Sequence, residues 1–335
     1  MFLNIFLFFL IVPISSLSFN DNGKFKIVHV SDTHYEYSDN PHCSDVEYPK
    51  YCSRKNTTDF LDRVYKLEKP DLVVHTGDII DWASTPADKA MNELYGVAIN
   101  NNLTWCGTLG NHDGQSDLNR EQVMKHIVTM NKTLSQLGPY NDVNTWGNYY
   151  LEIMYNNTPR FRTYHLSSNN NDVSINKYQV SWYEYTARFL NSIQRLPALT
   201  FFHIPLEEYQ FAIDLNKSKL IGSQNEKICC QPINSGLFDA LLSVNDTIAT
   251  FCGHDHTNDF CVNYRGIYLC YEGSPGYQAY GKIGWNRRVR VTEIQNFGKK
   301  VVSWKRLDNG SVVDNATLYE SFYTFEHSKR RLSNI

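Results

Sequence analysis

The 335 residues contain no Cys-x-x-Cys pair, so the ligand spacing of zinc fingers and zinc ribbons is missing. A surplus of positive charge is missing too: Lys and Arg total 32 against 35 Asp and Glu, giving a formal net charge of -3 and a pI near 6.4. That balance supplies no basic stripe for a nucleic-acid backbone, and nucleic acid is not an expected partner. After the opening residues no apolar run is long enough to span a membrane. No internal repeat is visible, and the polar stretch Ser167 to Asn176 reads as a surface loop rather than a linker.

What the chain does have is 42% hydrophobic and 14% aromatic residues, enough for one large core. Met1 to Ile14 is an apolar run too short for a membrane span, and the small residues of Ser16-Leu17-Ser18 suit signal peptidase, although Lys and Arg are missing from its start. Cleavage near Ser18 is the expectation, leaving one domain over 19–335 with its core at about 25–295 and a C-terminal β extension. Eight cysteines agree with an oxidising route. Cys43 and Cys52 bracket a polar insertion and are the expected pair, whereas Cys106 and Cys252 sit in apolar runs as free core thiols. Asparagine sequons at Asn56, Asn102, Asn131, Asn156, Asn216, Asn245, Asn309 and Asn315 add to the expectation of a glycosylated protein, secreted or in the endolysosomal lumen.

Secondary-structure signals alternate. Phe25 to Ser31 reads as a strand, Thr58 to Leu67 as a helix stopped by Pro70, and Asp71 to Thr76 as a strand. Pro86 to Asn100 reads as a helix and Leu103 to Leu109 as a third strand, which argues for α/β construction with a largely parallel sheet. Ile267 to Tyr271, Arg288 to Ile294 and Lys299 to Leu307 read as an antiparallel edge completing a second sheet.

Five blocks carry chemistry: Asp32-Thr33-His34, Gly77-Asp78, Gly110-Asn111-His112-Asp113, His203 and Gly253-His254-Asp255-His256. Each follows an expected strand, and in open α/β sheets donors at the carboxyl ends of strands converge. Together they supply two carboxylates, one amide oxygen and four imidazoles, enough for two divalent ions ~3.5 to 4 Å apart with room for water and substrate. His112 is placed to carry a proton to a leaving oxygen, with Asp113 orienting its ring. His29 and His75, on neighbouring strands, read as core histidines lying side by side. Tyr271, Tyr277, Tyr280 and Trp285 are candidates for a cleft wall, Arg287, Arg288 and Arg290 for phosphate contact, and Asp259 for support behind the ligands.

The blocks resemble the calcineurin-like metallophosphoesterase superfamily, whose pattern is DxH, GDxx, GNHD/E, a lone H and GHxH, with the match running from about Phe25 to His256. The resemblance is greater to a subgroup named with the purple acid phosphatases, through Asn56 to Leu61, Leu109 to Asp113, Phe202 to Pro205 and Gly253 to Cys261. It implies a four-layer α/β/β/α sandwich with two mixed sheets. It further implies that Asp32, His34, Asp78 and His256 hold one ion, and Asp78, Asn111, His203 and His254 the other. The ions would be divalent or a mixed-valence pair drawn from iron, zinc and manganese. One departure is plain: purple acid phosphatases carry a ligand tyrosine in GDxxY, and this chain has Asp81 there, with His34 as the donor instead. The expected function is hydrolysis of phosphate esters, foremost as a phosphatase. A phosphodiesterase or sphingomyelinase-like hydrolase is the alternative within that chemistry, and a catalytically silent binding glycoprotein the alternative outside it.

Overall fold

The structure, a computed structural model, describes residues 17–38, 43–45, 53–139, 145–169, 175–216, 219–230 and 233–321. The expected leader lies outside these residues apart from Leu17 and Ser18, and so does Cys52, the expected partner of Cys43. Leu17 is buried, its carbonyl accepts from the Met154 amide at 2.8 Å, and the Phe19 amide donates to the Met154 carbonyl at 2.9 Å. A boundary drawn after Ser18 therefore falls inside a packed stretch.

The first three expected strands form a parallel set, β1 (Phe25–Val30), β2 (Leu72–Thr76) and β3 (Trp105–Thr108). Their crossovers are α1 (Lys55–Glu68), which ends at a left-handed Lys69 just before Pro70, and α2 (Ala87–Asn100), which starts on Pro86. All of β2 and β3 is buried, as parallel strands covered on both faces must be. A further helix, α3 (Arg120–Ile127), starts with Asn119 and Gln122 in a capping box.

The second sheet runs in the order β4 (Tyr149–Tyr155), β5 (Thr158–Leu166), β6 (Ala198–Phe202), β7 (Thr247–Cys252), β9 (Ile267–Tyr271), β8 (Cys261–Tyr264). Its faces separate by the two-residue period of a strand. Leu199, Phe201, Ala249 and Phe251 face the first sheet in one core, while Ala198, Phe202 and Cys252 turn the other way. There they pack under α4 (Lys177–Ile193), α5 (Glu208–Asn216) and α6 (Leu237–Val244). With α1 and α2 joined to the first core, the expected α/β fold with two mixed sheets is the one observed.

The tail corrects one expectation. β10 (Arg288–Gln295), β11 (Lys300–Leu307) and β12 (Val312–Glu320) do not complete the second sheet: β10 lies antiparallel to β1, with Val28 opposite Val291, and β11 and β12 extend the first sheet outward. Ile267–Tyr271 does enter the second sheet, but parallel to β7 and antiparallel only to β8. Alternating hydrophobicity marks a strand; it carries no label for its partner. The paired positions Cys261 and Cys270 of β8 and β9 form a disulfide that the sequence did not single out, and Cys106 and Cys252 are free and buried as expected. His29 and His75 are core residues but not side by side. His29 pairs with Val74 and His75 with Val30, so a one-residue offset sends the two rings to opposite faces of the sheet.

Candidate metal centre

All five blocks arrive at one edge. Asp32 stands two residues past β1, Asp78 two past β2, Asn111 three past β3, His203 directly after β6 and His254 two past β7. Reaching one point from five strand ends requires unusual backbone: Asp32, His34, Asp78 and His254 have φ of 52°, 39°, 50° and 74°. These are left-handed conformations without glycine, which persist only where surrounding structure enforces them. Two glycines make room. A Cβ on Gly110 would sit 2.2 Å from Asp78 Oδ1, and one on Gly253 would sit 2.3 Å from Asp32 Oδ2.

The donor atoms gather in two groups, Asp32 with His34 and His256, and Asp78 with His203 and His254, each within 4.8 Å of one another. Asp78 joins them. Its Oδ2 is 2.9 Å from His203 Nε2 and 3.7 Å from His34 Nε2, while Asp32 Oδ1 lies 3.7 Å from His203 Nε2 and 3.5 Å from His256 Nε2. His34 Nε2 and Asn111 Oδ1 are buried and lack a hydrogen-bond partner among the described residues, and His203 Nε2 has only the Asp78 carboxylate. Orphaned donors converging from separate strands fit a metal ion, which satisfies nitrogen and oxygen lone pairs without linear hydrogen bonds. A third set, Cys229 with Asp255, shares His254 with the second group.

Charge balance gives the same picture. Burial raises the Asp32 carboxyl, against the pull of His203, to about 6. Burial also opposes ionisation of Asp78, but His203, His34 and His112 outweigh it and hold that carboxyl well below its usual range. His203, despite burial, is lifted to about 10 by Asp78 and Asp32, whereas burial and the neighbouring His203 push His254 down to about 4. Without a cation the cluster must hold protons to offset its carboxylates; a metal ion displaces them.

Three of the histidines have a fixed Nδ1. That of His203 donates to the Thr76 carbonyl at 2.9 Å and that of His256 to the Tyr280 carbonyl at 3.0 Å, while Asp81 Oδ2 lies 3.5 Å from that of His34. Carbonyls only accept, so Nε2 is left as the inward donor. His112 stands at the rim, with Nε2 4.0 Å from Asp78 Oδ2 and Nδ1 2.8 Å from Gln115 Oε1.

The orienting role expected of Asp113 is corrected, because its oxygens are taken elsewhere. They accept from the amides of Asp78, Ile79, Ile80 and Gly110 at 2.8, 3.0, 3.2 and 2.8 Å, and Gln115 holds the His112 ring instead. Of the expected wall, Tyr280 stacks on a candidate ligand, 3.8 Å from the His256 ring; Tyr271 is buried on Asp255, Tyr277 is bonded to Asp308 and Trp285 lies under the Arg288 guanidinium. Arg287 donates to the Tyr280, Ala279 and Ser44 carbonyls, Arg288 to Asp259, and Arg290 to the Tyr271 and Asp259 carbonyls, so all three are occupied by protein. Asp259 braces the loop after His256 through Lys305 and Arg288. Sequence reasoning missed Gln115, and it named Asp81 and Tyr280 without their roles as supports: Asp81 as a departure from GDxxY, Tyr280 as an aromatic after the last block.

Three comparisons place this arrangement. A family description, calcineurin-like phosphoesterase, matches residues 25–258. The chain is 37% identical to "Probable inactive purple acid phosphatase 14" of Arabidopsis thaliana, over 92% of this chain and 88% of that protein. It is 32% identical to "Phosphatase DCR2" of Saccharomyces cerevisiae, over 87% of this chain and 55% of that protein. Among solved structures, a dimetal phosphatase from Danio rerio shares the fold, with a TM-score of 0.58 at 15% identity over 89% of this chain and 99% of that one.

Proposed function

The chain belongs to the calcineurin-like phosphoesterase family, and from that premise we propose that it is a two-metal hydrolase of phosphate esters, foremost a phosphatase. The observation that carries this reading is the meeting of two donor groups beside Asp78, with the buried His34 Nε2 and Asn111 Oδ1 left without a hydrogen-bond partner among the described residues. In this reading Asp32, His34, Asp78 and His256 hold one ion, and Asp78, Asn111, His203 and His254 the other. When bound, the ions supply Lewis acidity toward the phosphoryl oxygens and an activated water. Asp78, whose Oδ2 lies between His203 Nε2 and His34 Nε2, would be the carboxylate common to both ions. His112, with Nδ1 tied to Gln115 and Nε2 facing the centre, hands a proton to the departing oxygen. The side chain of His112 is 35% exposed, which lets it reach a substrate entering from solvent.

A second reading is favoured by the word "inactive" in the name of the Arabidopsis relative: a silent glycoprotein that keeps the scaffold for binding. Against it stands the full donor set, with Asp81 as the only departure. The disulfide Cys261–Cys270 and the eight sequons support passage through an oxidising, glycosylating compartment, so a secreted or endolysosomal location belongs to the same proposal. No helix among the described residues is long and apolar enough to cross a membrane.

Metal content of the purified protein, measured beside a panel of phosphate monoesters and diesters, tests the proposal. Two ions per chain with monoester turnover is the expected result. Two ions without turnover of any ester would leave the silent reading standing, and no bound metal would remove both the centre and the activity.

A further inference from the structure

Helix α4 is covered on one side only. Val180, Tyr183, Ala187 and Leu190 pack onto the second sheet, while the outer side carries a further apolar set: Tyr185 and Ile193 are 76% and 71% exposed, Tyr178 and Phe189 more than half, and Trp182 stands among them partly buried. Successive steps of 4, 3, 4 and 4 residues put these five in one row along the helix. The outer side of α2, over the first sheet, exposes Asp88, Lys89, Asn92 and Asn100 instead. Both helices border solvent, so solvent does not account for the row. Large apolar groups held in line at a surface mark a contact, aromatic ones above all.

The charges of α4 are taken up within its own chain. Arg188 Nη2 donates to Glu184 Oε1 at 3.1 Å and to Ser243 Oγ of α6 at 2.6 Å, and Lys177 lies 5.1 Å over the Tyr178 ring at the first turn. The row itself is uncharged, and none of the eight sequons lies on α4. A helix that lies on a membrane keeps Lys and Arg free along its polar flank. Here Arg188 is engaged, and the exposed Ser181 and Ser192 are small enough for another helix to come close.

The order of the row selects the partner. Tyr185 stands in the middle, with Trp182 three residues before it and Phe189 four after, then Tyr178 seven before and Ile193 eight after. Read from either end the spacing is nearly the same. An unlike partner places no such condition on the order, whereas a two-fold axis does, because each contact must recur with the two copies exchanged. We propose that α4 is the interface between two copies of this chain, laid antiparallel across a two-fold axis at Tyr185. Trp182 then meets the Phe189 of the second copy, Tyr178 meets its Ile193, and Tyr185 meets its own counterpart. The inference rests on α4 and not on the metal centre, so it stands apart from the two-metal reading.

Sedimentation of the full chain over a concentration series tests it, and wild type should show twice the mass of one chain. Tyr185→Glu sets two carboxylates against each other at the axis and Tyr185→Lys sets two ammonium groups, so each variant alone should be monomeric at every concentration. Mixed in equal amounts, the two should form the dimer again, since only a contact of Tyr185 with itself turns two repelling variants into an attracting pair. The melting temperature of each variant shows that the fold is intact. If either does not fold, Phe189→Ser is measured in its place and should raise the dissociation constant of the dimer by at least roughly 10-fold, as loss of a central aromatic does. A monomeric wild type overturns the proposal, and so does a dimer that persists in folded Tyr185→Glu. A mixture of folded Tyr185→Glu and Tyr185→Lys that stays monomeric overturns the axis at Tyr185.

Discussion

Histidines are buried in two regions, the interior between and behind the sheets and the edge where the strands end, and the regions treat them in opposite ways. In the interior His75 has no hydrogen-bond partner for either nitrogen among the described residues and His165 stacks between Tyr149 and Phe201, and burial pushes both down to about 3. At the edge His203 is equally buried, yet Asp78 and Asp32 lift it to about 10. Desolvation alone keeps an imidazole neutral and inert; two carboxylates at the same depth reverse the sign. What separates packing from chemistry here is the company of each histidine rather than its depth.

The largest effect should come from taking the carboxylate out of the edge. Asp78→Ala removes the carboxylate that lies 2.9 Å from His203 Nε2 and 3.7 Å from His34 Nε2, so in the two-metal reading the protein should lose both ions together and with them all measurable turnover. A variant that retains a full complement of metal would show that the edge histidines hold ions without their carboxylate, and the contrast with the interior would collapse.

A smaller effect separates two kinds of edge histidine. His112 is outside both donor groups, so His112→Ala should keep both ions while losing roughly 10²- to 10⁴-fold in rate on an alkyl phosphate, the typical contribution of a positioned general acid. The loss should shrink on nitrophenyl phosphate, whose leaving group needs less protonation. Loss of metal would make His112 a ligand, and an unchanged rate on the alkyl ester would end the general-acid assignment.

The interior gives the smallest effect, visible in stability. His75 has a folded value near 3, below the ~6.5 of an unfolded histidine. Between those values the unfolded chain binds the extra proton, so stability rises with pH there and is lost on acidification by ~1.4 kcal/mol per pH unit for each such residue. Urea midpoints from pH 4.5 to 7 should show a shallower slope in His75→Phe than in wild type. Equal slopes would mean that His75 is protonated inside the fold.

The strands that precede the candidate ligand blocks were legible because short runs rich in apolar residues, such as Leu72-Val73-Val74, end abruptly in polar residues, as strands covered on both faces do. The convergence of Asp32, Asp78 and His203 followed from that placement. The sheet that would receive Arg288–Gln295 was not legible, since its partner β1 lies at the other end of the chain and both sheets offer an edge to an alternating strand. Nor was the work of Asp113 legible. Adjacency to His112 suggested a pair, but a turn separates their directions and the carboxylate finds four backbone amides first. Side-chain direction within a turn is set by φ and ψ, which residue order does not state.

Asp113 leaves one more consequence. Because its Oδ2 accepts from both the Asp78 amide at the start of one loop and the Gly110 amide of the next, the gap between those loops is gauged by a single carboxylate oxygen. A mould of that kind keeps its dimensions when its contents change. Ions of different radius would meet the same spacing, and selectivity among them would fall to the supply in the surrounding compartment rather than to any adjustment of the protein.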